Sequence, residues 1–98
     1  MRVKIAYTVE LEEVEKEISE VMTRATEDLD FSYTELIRIQ LDLQTETGSL
    51  PENIEKIDII RKKIARADII LQDCNSVLEG LYEVKKQLEE QKNEIQDG

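Results

Sequence analysis

Chemistry in this chain has few residue types to draw on. There is no histidine, which removes the commonest general base near neutral pH and the usual imidazole metal ligand. The one cysteine, Cys74, falls within a run of apolar residues and has no histidine to activate it, so it reads as core rather than as a nucleophile. Carboxylates are the remaining resource, with 23 Asp and Glu residues. Glu17 with Glu20, and Glu55 with Asp58, have the spacing that puts two acids on one helical face, as all-helical hydrolases do when they gather carboxylates around magnesium. In so acidic a chain that spacing arises by chance, and both pairs sit beside or opposite the apolar stripes, where water reaches them. No glycine-rich phosphate loop, zinc-ligand cluster or nucleotide-binding fingerprint accompanies them. The expectation is no catalytic residue, no metal site and no cofactor.

The charge balance narrows the partners. A net charge of -10 disfavours an extended nucleic-acid groove, which needs a concentrated positive field. Arg61, Lys62, Lys63 and Arg66 form a local basic cluster, but Asp58 and Asp68 flank it and Glu55 lies a turn upstream, so intramolecular ion pairing is the expected role. With three tyrosines, one phenylalanine and no tryptophan, the core must be built from Leu, Ile and Val, with little material for stacking bases. A lone cysteine excludes an intrachain disulfide. Residues 1–11 lack the sustained apolar segment of a secretory leader and no window is long and apolar enough to cross a bilayer, so no membrane association is expected, and the setting is the cytoplasm or another soluble intracellular compartment.

The elements that position these residues are mainly helical. Val3, Ile5, Tyr7 and Val9 alternate with Lys4, Ala6 and Thr8, which predicts a short strand or extended arm over 2–9. A lone strand leaves its backbone edges open, so its partner would be another copy of the chain or a different protein. From Leu11 the period changes: Leu11, Val14, Ile18, Val21, Met22, Ala25 and Leu29 share one stripe, while Glu12, Glu13, Glu15, Lys16, Glu17 and Glu20 take the outer surface. Residues 11–45 therefore form one helix, or two if Asp28, Asp30 or Ser32 caps a second. A turn follows over 45–49, with Gly48 available for a positive φ, Ser49 placed to cap the next helix, Pro51 in its first turn and Glu52 as capping-box partner.

The last helix should run over 50–95, with a weak point at Asn75, Ser76 and Gly80. Its apolar seam recurs at three- and four-residue steps through Leu50, Ile57, Ile60, Ile64, Ala67, Leu71, Cys74, Leu78, Leu81, Leu88 and Ile95, with Asn53, Lys85 and Lys92 as polar members. Antiparallel pairing across the turn would set Glu27, Asp28 and Asp30 against the Arg61–Arg66 cluster and the acidic start of the first helix against Lys85 and Lys86. Ile54, Ile59, Ile69, Ile70, Val77, Tyr82 and Val84 widen the apolar surface beyond what a two-helix seam covers. Two architectures accommodate them: a homodimer or higher oligomer closing a helical bundle, or a monomer in which residues 31–44 fold separately to cover a second flank.

The sequence thus predicts a single mainly α domain, with a short N-terminal strand followed by an antiparallel helical hairpin or coiled coil. The expected function is that of a small acidic, oligomeric protein-interaction module, an inhibitor or adaptor acting through its strand or outer helical faces on an unidentified protein. Two other classes compete with it. One is an acidic nucleic-acid mimic that occupies a basic groove. The other is a small-ligand sensor or carboxylate-metal hydrolase at a helical interface.

Overall fold

A computed structural model describes residues 11–97, with side chains over 11–91. Two antiparallel helices make up nearly all of this span: α1, Leu11–Gln44, and α2, Leu50–Asp97. The strand expected from Val3, Ile5, Tyr7 and Val9 lies outside the described residues.

α1 is one helix of 34 residues, opened by Glu12 and Glu13 where free amides favour negative charge. It does not break at Asp28 to Ser32. The Ser32 hydroxyl donates to the Asp28 carbonyl oxygen at 2.7 Å, so it is satisfied within the helix instead of capping a new one. This continuity removes the monomer in which 31–44 folds separately. α2 is also unbroken: Asn75 Nδ2 donates to Glu79 Oε1 at 3.0 Å, and the weak segment stays in phase. Its 48 residues account for the 74 Å long axis, at about 1.5 Å of rise per residue.

The reversal between them is tighter than glycine content alone indicates. The Thr45 N–H bonds the Leu41 carbonyl at 3.0 Å, and the Thr47 N–H reaches back to the Asp42 carbonyl at 2.9 Å, closing a Schellman-type helix end. The residue in the left-handed position is Glu46, at φ 55°. Gly48, at φ 82°, makes the second left-handed step, and a Cβ there would stand 2.8 Å from Asp42 Oδ2. The Glu52 N–H meets Ser49 Oγ at 3.5 Å, a long cap, while the Asn53 N–H bonds the Ser49 carbonyl at 3.0 Å to start α2. Glu46→Gly should therefore stabilise the hairpin by about 0.5–1 kcal/mol, because glycine carries no Cβ penalty at that φ. Gly48→Ala should cost about 1 kcal/mol. Urea midpoints at constant slope measure both.

The buried residues repeat every seven positions. On α2 the central row is Asn53, Ile60, Ala67, Cys74 and Leu81, all buried. On α1 it is Leu11, Ile18, Ala25, Ser32 and Ile39, buried from Ala25 onward and half-buried before it. A seven-residue step returns close to the same angle on a helix, so one row of each helix can track the other along the hairpin. Ala25 and Ala67 keep the middle layer thin, which lets the axes approach. Past Leu81 no further member of the row is buried among the described residues, and Leu88 is exposed.

Candidate interaction surface

Each central row has two neighbours, one three residues on and one four residues on, and they differ in chemistry. In an antiparallel pair equal offsets fall on the same side, so the hairpin has two distinct flanks.

The flank three residues on carries Asp28, Glu35 and Asp42 from α1 and Lys56 and Lys63 from α2, giving way to Val14, Val21, Ile70, Val77 and Val84 toward the open end. Asp28 is its centre, at 2 % exposure. Arg66 Nε donates to Asp28 Oδ2 at 2.7 Å and Arg66 Nη2 donates to Oδ1 at 2.5 Å, a two-pronged clamp. Lys63 Nζ lies 3.8 Å from Asp28 Oδ1 and 4.8 Å from the centroid of the Phe31 ring, so one ammonium serves both. Below it Phe31, Glu35, Lys56 and Ile59 line a small crevice, where Glu35 Oε2 is buried without a hydrogen bond and has Arg38 3.7 Å away.

The Arg66 hydrogen bond holds the Asp28 carboxyl below its ordinary 3.8; burial opposes this, and the charges of Arg66 and Lys63 assist it. A carboxyl depressed in the folded state stabilises that state fully above the unfolded value and loses the contribution as pH falls through the folded one. Asp28→Asn should therefore melt below the parent at pH 7, and the gap should narrow as pH drops below about 4. Thermal melts at stepped pH measure this, and a gap of constant width would show that the clamp adds no pH-linked stability.

The flank four residues on is apolar: Met22, Leu29, Leu36 and Leu43 from α1, and Ile57, Ile64, Leu71 and Leu78 from α2. Its two halves share a side, as shown by the next member of each row toward the open end, Glu15 and Lys85, which meet at 3.0 Å. Ile57, Ile64 and Leu71 remain 39 %, 43 % and 39 % exposed, and Leu29, Leu36 and Leu43 are exposed beside them. Met22 and Leu78 are half-buried.

The expected seam of α2 is therefore divided. Of its members Ile60 and Leu81 are buried within the hairpin and Leu78 is half-covered, whereas Ile57, Ile64, Leu71 and Leu88 are not enclosed by the described residues. The reason is geometric: two helices cover about one row and its nearer flank on each, and Asp28 with its two cations turns the charged flank inward. Asp28 itself went unrecognised as a buried group, although its place three residues after Ala25 was a readable signal. Cys74 is buried in the central row. Among the described residues no three Asp, Glu or Cys side chains gather as a metal site, and no helix is long and apolar enough to cross a membrane.

Fold and surface together define a class: an antiparallel α-hairpin that is clamped by ions along one side and carries uncovered heptad-spaced aliphatic residues along the other. No protein-family model, curated protein or solved structure matches the chain. Its function is argued from this surface alone.

Proposed function

We propose that this chain is a small acidic protein–protein interaction module, cytoplasmic and non-catalytic, which assembles through its helices and engages a macromolecular target as an inhibitor or adaptor. The observation that supports this is the row of aliphatic side chains left uncovered at seven-residue spacing, a pattern suited to receiving other helices. Further apolar groups on the outer surface, including Ile37, Leu41 and Ile69, give the assembled module somewhere to hold a target. The Val3 to Val9 segment offers strand addition as a second means of contact.

Photo-crosslinking residues at Leu41, Ile69 and Tyr7, introduced one at a time into the full chain in its native cell, test the target-binding role. The expected result is a covalent adduct with one recurrent heterologous protein. Adducts with other copies of the chain alone, or none, would remove it. A target that is a nucleic-acid-binding protein, released above about 0.5 M salt where charge attraction is screened, would transfer the reading to the acidic mimic.

A further inference from the structure

We propose that a second copy of this chain covers the apolar flank, and that the two hairpins stack antiparallel about a two-fold axis crossing the helices at the level of Leu29 and Ile64. The inference rests on the module reading above and specifies which face assembles and how.

The flank's centre of symmetry is the first argument. On α2 the exposed aliphatics Ile57 and Leu71 stand equally far on either side of Ile64, and on α1 Met22 and Leu36 stand equally far from Leu29. A row that repeats every seven residues maps onto itself about any of its members, so one axis can serve both helices wherever a member of each row stands at the same height. Asp28 is clamped to Lys63 and Arg66, which sets the next residue, Leu29, level with Ile64. A single two-fold axis therefore serves both helices, stacking α2 on the partner's α2 and α1 on the partner's α1. An isologous dimer requires this self-complementarity.

Charge is the second argument. The chain carries -10 overall, so two copies repel unless they meet through a neutral surface. The outer border of the flank on α1 is Ser19, Thr26, Tyr33 and Gln40, with no charge. On α2 the corresponding border between Ile54 and Asn75 holds one cation and one anion, Arg61 and Asp68. They too lie about equally far from Ile64, so the same axis sets each Arg61 against the partner's Asp68. The other two-fold, running parallel to the helices, would lay α2 on the partner's α1, whose border offers Arg61 and Asp68 no counter-charge.

Area is the third. From Ile54 to Asn75 the face spans about 32 Å at about 1.5 Å per residue. Two helices about 10 Å apart make it about 20 Å wide, on the order of 600–700 Å² per copy. A standard stable interface buries about 800 Å² per partner.

The test uses the full chain in sedimentation equilibrium. The expected parent mass is twice the 11.4 kDa of one chain. Ile64→Glu should give a monomer of unchanged helicity, because that side chain is exposed in the hairpin. Arg61→Asp alone and Asp68→Arg alone should each weaken the dimer about tenfold, since each sets like charges together twice across the axis. Arg61→Asp with Asp68→Arg should restore it to within about threefold. A monomeric parent at about 100 μM, a dimer untouched by Ile64→Glu, or a double exchange no better than the single ones would each overturn the arrangement. A heterologous adduct in the crosslinking experiment would then still stand, so failure of this dimer and failure of the module reading are separable.

Discussion

Ile60→Asp is expected to abolish cooperative folding of the hairpin. Ile60 is 2 % exposed in the central row of α2, with the half-buried Lys56 and Lys63 a turn away on the charged flank. An ionised carboxylate placed there loses its water, and drawing Lys63 to it takes that ammonium from Asp28, so the site costs several kcal/mol whether it stays charged or draws a proton. Domains of this size are stable by about 5–10 kcal/mol, so the loss removes most of the margin. Circular dichroism should show reduced helicity at 25 °C and no sharp melt. Ile69→Asp, on the outer surface at 58 % exposure, is the matched control and should cost under about 1 kcal/mol. If both variants melt alike, the phase of the α2 seam is wrong.

A single alanine inserted after Leu71 should be nearly as damaging, although it adds a good helix former. It turns everything downstream by about 100°. Asp73 then occupies the place of Cys74, Gly80 that of Leu81, and Lys85 swings away from Glu15. Losing Leu81 from the seam alone corresponds to about 2–5 kcal/mol, and a carboxylate at the level of Ile18 adds to it. The same insertion after Gln87, past the last buried layer, should change stability by less than about 0.5 kcal/mol. Chemical denaturation compares the two. Equal midpoints would mean that α2 absorbs the extra residue as a local bulge and that the Cys74 and Leu81 layers contribute little.

Much of this was legible in the residues themselves. The turn was readable because Gly48, Ser49 and Pro51 each carry a local backbone preference, and the chain does reverse there. The pairing register was readable because reversal at the turn brings acids of the first helix opposite cations of the second, and Asp28 does meet Arg66 and Glu15 does meet Lys85. Glu46 in the left-handed position was not readable: its φ is imposed by closure of the helix end onto Asp42, not by any preference of glutamate. The continuity of α1 was open for a similar reason, since Ser32 has equal local use for its hydroxyl as a cap or as a bond to the carbonyl four residues back.

The candidate surface divides along the same line. The periodicity marked a stripe of aliphatic residues on α2 too wide for one partner helix, and it marked Cys74 as core. It could not say which side of that stripe the neighbouring helix takes, because Ile57, Ile64 and Leu71 are as apolar as Ile60, Ala67 and Leu81 are. That choice belongs to α1. By placing Asp28, Glu35 and Asp42 where α2 offers Lys56, Lys63 and Arg66, the hairpin rotates its contact toward the charged flank and leaves the aliphatic one to water. Sequence by itself determined helical segments on either side of one turn and an alignment between them, because these follow from spacing and backbone preference along one strand of chain. The tertiary structure decided which aliphatic row stays uncovered, because that depends on how two helices share a contact angle neither defines alone.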